Sequence, residues 1–129
     1  NIEDCTFTLN TSSGFDGYCI YYYGNDNSTV NVKNSSFATA GKGICIFSES
    51  AKAYNLNVDK CSFTSSDSAT DKAAIQMHTE LGIYGNVKIT ETTATGFADI
   101  NGGLWNELNN NTKVATDKFD IWVDGTQVH

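Results

Sequence analysis

Val30–Phe37 reads Val-Asn-Val-Lys-Asn-Ser-Ser-Phe, and its reading decides the fold because the same pattern recurs. Leu56–Phe63 reads Leu-Asn-Val-Asp-Lys-Cys-Ser-Phe, and Val87–Ala94 reads Val-Lys-Ile-Thr-Glu-Thr-Thr-Ala. The chain opens partway into another copy, Ile2–Phe7, Ile-Glu-Asp-Cys-Thr-Phe. An apolar residue holds the third position of each copy, a small or sulfur side chain the sixth, and Phe or Ala the last. The copies close at Phe7, Phe37, Phe63 and Ala94, a recurrence every 26 to 31 residues. A fixed motif at such a period is the signature of a repeat architecture.

Inside the motif, Val30 and Val32, Leu56 and Val58, and Val87 and Ile89 alternate with polar neighbours as a half-buried strand requires. Positions three and eight are an odd number of residues apart, so one continuous strand would send them to opposite faces. A bend at Glu3-Asp4, Lys33-Asn34 and Asp59-Lys60 restores a common face. Asn and Asp tolerate the left-handed backbone such a bend needs, which leaves the turn least secure at Lys60 and Glu91. Cys5, Ser35, Cys61 and Thr92 then point inward with Phe7, Phe37, Phe63 and Ala94.

A second strand follows each motif: Gly17–Tyr23, Gly43–Phe47, Ala74–His78 and, weakly, Phe97–Ile100. Alternation sends Tyr18 and Ile20, Ile44 and Ile46, and Ile75 and Met77 inward. Strands with one apolar face close a core only when successive repeats stack, about 4.8 Å apart. These features resemble the right-handed parallel β-helix of the pectate-lyase-like superfamily, over nearly the whole chain. The matching residues are the apolar-x-apolar strand, the short turn, the Cys/Ser-x-Phe strand (Cys5–Phe7, Ser35–Phe37, Cys61–Phe63) and the Gly-x-Cys-Ile strand (Gly17–Ile20, Gly43–Ile46). The fold expected is all-β, a right-handed parallel β-helix of about four coils. Coils occupy residues 1–101, and residues 102–129 form an atypical last coil and cap. There Gly102–Thr116 is a polar excursion, Ile121 and Val123 begin a fifth coil, and Trp105 or Trp122 supplies the lid.

The chain of 129 residues carries eight Lys, no Arg, fifteen Asp and Glu, and a net charge of −7. Such a balance disfavours nucleic acid as a partner, since phosphate affinity rests on clustered Lys and Arg. No apolar run approaches the roughly 20 residues of a membrane span. Without an initiator Met or signal peptide, Asn1 reads as a cut end, and the chain as a fragment of a larger secreted or cell-surface protein.

The surface that could carry function is the outer face of the second strand. Tyr21, Phe47 and His78 fall there one per coil, beside Cys19, Cys45 and Gln76, with Tyr23 and Asp99 extending the patch. An aromatic ladder at strand spacing suits the faces of sugar rings, and Gln and Asp suit their hydroxyls. In enzymes of the superfamily this face floors the polysaccharide cleft. Cross-strand pairing is the competing account of the same ladder. Cys19 and Cys45, outward in adjacent coils, are close enough for a disulfide, whereas Cys5 and Cys61 lie two coils apart and pack as buried thiols.

Catalytic chemistry is thinner. The lyases of the superfamily typically use Arg or Lys as base beside carboxylate-held calcium, and no Lys falls on the aromatic face in this alignment. Similar glycosidases need paired carboxylates roughly 5–10 Å apart, and only Asp99 comes near. Calcium has Asp67, Asp71 and Glu80 as scattered candidates without a spaced loop. No cofactor is expected, and the four Asn-x-Ser/Thr sequons reflect composition. The expected function is therefore non-catalytic adhesion or carbohydrate binding, with a polysaccharide or glycoprotein partner and self-association through the open first coil. A fragment of a polysaccharide lyase or glycoside hydrolase with its catalytic residues elsewhere, and a ligand-free spacer, are the alternatives.

Overall fold

A computed structural model describes residues 1–10, 17–66 and 72–129. Its first coil holds β1 (Ile2–Glu3), β2 (Thr6–Leu9) and β3 (Tyr18–Tyr22). The second holds β4 (Ser28–Lys33), β5 (Ser36–Thr39) and β6 (Lys42–Ile46), and the third β7 (Ala53–Asp59), β8 (Ser62–Ser65) and β9 (Ile75–His78). The fourth holds β10 (Tyr84–Thr90), β11 (Thr93–Thr95) and β12 (Trp105–Asn109); β13 (Val114–Ala115), β14 (Phe119–Val123) and β15 (Thr126–Gln127) close the chain. The strands stack as three sheets, β1-β4-β7-β10-β14-β15, β2-β5-β8-β11 and β3-β6-β9-β12-β13. Pairing between coils is parallel throughout, and only the closing pairs β12–β13 and β14–β15 are antiparallel. The protein is a parallel β-solenoid of about four turns.

The repeat sets the register of the first two sheets. Val30, Leu56, Val87 and Ile121 are successive partners, as are Ile2, Val32, Val58, Ile89 and Val123. Phe7, Phe37, Phe63 and Ala94 pair in the second sheet. The rings stack almost face to face, Phe7 on Phe37 at 4.7 Å and Phe37 on Phe63 at 4.4 Å. Gly43 makes room for this stack, since a Cβ there would stand 2.4 Å from the Phe63 ring. At that distance only a hydrogen fits.

Between the first and second sheets, Asp4, Asn34, Lys60 and Glu91 all adopt positive φ, from 46° to 55°. Lys60 and Glu91 thus make the same bend as Asp4 and Asn34. A left-handed residue with a Cβ costs roughly 1–2 kcal/mol, and a ladder of backbone bonds offsets it here. Asp4 N donates to Lys33 O, Asn34 N to Asp59 O and Lys60 N to Thr90 O, at 3.0–3.1 Å. The hydroxyls at position six lock the corner: Ser35 Oγ accepts from Cys5 N and donates to Lys33 O, and Thr92 Oγ1 repeats both bonds with Cys61 N and Thr90 O. The Lys60–Glu91 ion pair, at 4.0 Å and largely exposed, adds little.

The third sheet departs from expectation. Ile20 pairs with Ile44, Tyr21 with Cys45 and Tyr22 with Ile46, so β3 is displaced by two residues from the Gly-x-Cys-Ile alignment. Gly17 meets Gly41 instead of Gly43: Lys42 N donates to Gly17 O, and a Cβ on Gly41 would collide with that same oxygen. The fourth-coil strand is also not Phe97–Ile100, where Gly96 turns the chain at φ 79°. It is β12, in the stretch read as a polar excursion, with Trp105 opposite Ile75 and Glu107 opposite the inward Met77. Trp105 is the buried lid, whereas Trp122 lies half-buried on the outer face of the first sheet, opposite Lys88.

Candidate functional site

The displaced register decides what the outer face of the third sheet looks like. Tyr21, Cys45, Gln76 and Asn106 form one row of partners, and His78 faces Leu108 in the next. The aromatic ladder survives the displacement at Tyr21 and Phe47, because a shift of two preserves the face a side chain takes, but the start of β3 is reversed: Tyr18 is exposed, and Cys19, expected outward, packs against the core. Tyr21 stacks on Tyr18 at 5.0 Å, on Phe47 at 6.3 Å and on Tyr23 at 6.1 Å. Tyr18, expected inward, stands 40% exposed beside Tyr21 at 42%.

These rings open into a groove of about 320 Å³. Tyr18, Tyr21 and Phe47 line it with Cys45 and His78, and Lys42, Glu80 and Asn110 add polar groups along its walls. Of the residues expected at the site, Tyr21, Phe47, His78 and Cys45 come together here. Tyr23 continues the ladder outside the groove, 49% exposed, with the Lys52 ammonium 5.2 Å from its ring centre. Partial burial pushes the Tyr21 phenol up to about 12, with Tyr18, Cys45, Glu49 and Tyr23 adding to the shift, so the ring stays neutral in the physiological range.

Three expectations are corrected. Asp99 sits in an exposed bend off the third sheet, and Asn106 occupies the row position that Asp99 was to fill. Gln76 is fully buried rather than presented to a ligand. Cys45 stands opposite Tyr21 and not Cys19, and neither is in a disulfide, nor are Cys5 and Cys61. Burial pushes the Cys19 thiol up, against a hydrogen bond with Thr39. Lys42 was also missed: with Tyr18 as its partner it reaches the aromatic face, where no Lys was expected.

Gln76 is a finding in its own right. Among the described residues neither its amide nitrogen nor its oxygen has a hydrogen-bond partner, an omission that costs about 1–3 kcal/mol. Gln76→Met removes the two orphaned polar atoms at nearly constant volume. It is expected to raise stability by about 1 kcal/mol in urea unfolding, and a loss of that size would show that the amide is satisfied in solution.

Glu80 is the groove's one carboxylate among the described residues, and its Oε2 accepts from Asn110 N at 3.2 Å. Among the described residues the groove's lining holds no second carboxylate to pair with it. Among the described residues no group of three or more His, Cys, Asp or Glu is placed to hold a metal ion, and Asp67 and Asp71 lie outside the described residues. No described helix is long and apolar enough to cross a membrane. Comparisons with protein-family models, with curated proteins and with solved structures find no match.

Proposed function

We propose that the chain is a non-catalytic module of a secreted or cell-surface protein that binds carbohydrate through the groove on its third sheet. The β-solenoid supports this reading, in which the chain resembles the pectate-lyase-like superfamily in architecture and holds a glycan without cleaving it. The observation that carries it is the stacked ladder Tyr18–Tyr21–Phe47 forming the apolar wall of a groove whose other wall is polar. Aromatic faces at strand spacing suit the C–H faces of successive sugar rings, while Glu80 and Asn110 offer an acceptor and a donor to hydroxyls along the polar wall. The ladder is open to solvent at Tyr18, Tyr21 and Tyr23, which are 40%, 42% and 49% exposed.

A glycan array tests the reading. The chain is expected to retain a defined set of glycans, with Tyr21→Ala and Phe47→Ala each weakening capture about tenfold or more. Undiminished capture by both variants would remove the groove from the account, and release of reducing ends by the chain itself would replace binding with catalysis.

Self-association through the first coil belongs to the same proposal. Among the described residues β1, β2 and β3 each pair with one strand only, at the edges of their sheets, and unpaired edges recruit further strands. Sedimentation velocity of the 129-residue chain is expected to show a concentration-dependent dimer; one invariant monomer species would refute it.

A further inference from the structure

The outer face of the first sheet carries two adjoining hollows that the groove does not use. One, of about 290 Å³, includes Asn55 and Tyr84; the other, of about 420 Å³, includes Lys88 and Trp122; Asn86 and Asp120 line both. Strand geometry makes them one track. Tyr84, Asn86 and Lys88 are alternate residues of β10 and project to the same side, spanning about 13 Å. Asp120 is the partner of Asn86, and Trp122 of Lys88.

The chemistry of this track is that of a polar ligand with apolar faces. Trp122 is half-buried and Tyr84 is 50% exposed, so the track has an aromatic surface at each end. Between them the side chains are held in place. Asn86 Nδ2 donates to Asn55 Oδ1 at 3.1 Å, Asn55 Nδ2 donates to Ser28 O at 3.4 Å, and Gln127 Nε2 donates to Asp120 Oδ1 at 3.3 Å. Further back, Asn57 Nδ2 donates to Asn31 Oδ1 and Asn31 Nδ2 to Asn1 Oδ1, so amides run in hydrogen-bonded file along this face. The Lys88 ammonium has no ion-pair, hydrogen-bond or ring partner among the described residues, and it does not cover the indole. Charge along the track balances, with Lys88 and Lys118 against Asp117 and Asp120. A chain of net charge −7 that keeps one face locally neutral is suited there to an uncharged ligand.

We propose that this track is a second binding site, for a neutral oligosaccharide, with Trp122 as its stacking platform and Asn86, Lys88 and Asp120 as its hydroxyl partners. Stacking on the indole supplies affinity, and the fixed amide and carboxylate supply orientation. The site lies on a different sheet from the groove, so the module would hold glycan on two faces, and two such contacts on one polymer reinforce each other by effective concentration.

The test follows the indole N–H resonance of Trp122, assigned with Trp122→Phe, during titrations of ¹⁵N-labelled chain with cellohexaose, xylohexaose and mannohexaose. At least one of the three is expected to shift it saturably. Read in every variant from the backbone amide shifts of Asn86 and Asp120, Trp122→Ala and Lys88→Ala should each weaken that binding about tenfold, while Tyr21→Ala leaves it unchanged. Trp122→Phe, which keeps an aromatic ring in the strand, should lose less than Trp122→Ala. No saturable shift with any of the three sugars would overturn the proposal. So would binding that Trp122→Ala leaves intact, or that Tyr21→Ala removes, the last assigning it to the groove on the third sheet.

Discussion

Phe37→Ala is expected to lower the free energy of unfolding by about 3–5 kcal/mol. Phe37 is 2% exposed, and both faces of its ring are covered, by Phe7 on one side and Phe63 on the other. Truncation therefore leaves a cavity bounded by two aromatic faces held by strands on either side, which cannot close over it without breaking the ladder. Phe7 sits at the end of the same stack, half-buried and with one ring neighbour, and Phe7→Ala should cost about 1–2 kcal/mol. Urea unfolding of the two variants reads the difference directly. A loss below about 1 kcal/mol for Phe37→Ala would place the ring outside the core and break the register of the second sheet.

Glu107→Ala should cost about as much, 3–5 kcal/mol in order of magnitude, for a different reason. Glu107 points inward from β12, and its side chain has no solvent exposure. Oε1 accepts from Thr116 Oγ1 and Lys118 N, both at 2.6 Å; Oε2 accepts from Phe119 N at 3.1 Å and meets His129 Nε2 at 3.1 Å. One carboxylate thus satisfies the backbone that enters β14 and fixes the closing segment over the last core layer. Alanine leaves two backbone donors without acceptors. Glu107→Gln, which keeps the shape and one acceptor oxygen, should lose less. Amide exchange at Lys118 and Phe119 is expected to accelerate in Glu107→Ala, and unchanged exchange would mean that the carboxylate does not hold the closing segment.

The repeat made the scaffold legible. Residues such as Val32, Val58 and Phe63 must recur at the same places because each stacks on its own counterpart one coil away, and that demand shows in a single chain. Ile121 and Val123 were readable as a fifth-coil strand on the same ground. The bend at Lys60 was less so, because its left-handed backbone is imposed by the hydrogen-bond ladder and not by the side chain.

Apart from Tyr18 and Cys19, the third sheet was legible in its faces but not in its register. An alternating strand slid by two residues keeps the same side chains inward, so alternation alone could not separate Gly17 opposite Gly43 from Gly17 opposite Gly41. The close approach of Gly17 and Gly41 and the Phe63 ring over Gly43 choose between them, and both are contacts across coils. Lys42 lay before the strand expected at Gly43 and Tyr18 was read as inward, so both were absent from the expected site. Trp105–Asn109 was hidden by Glu107, an inward carboxylate that reads as a loop residue until its four partners, drawn from residues 116–129, are brought to it. Glu80 and Asn110 join the groove across coils, with no spacing in the chain to announce them.

The groove on the third sheet is the centre of this account, and amide chemical-shift mapping with a glycan taken from the array tests it most directly. The expected result is a saturable set of shifts at Tyr21, Cys45, Phe47 and His78, with the Val30–Phe37 stretch undisturbed because its Val, Ser and Phe side chains face the core. Shifts confined to the second sheet, or none at Tyr21 and Phe47 at saturation, would contradict it.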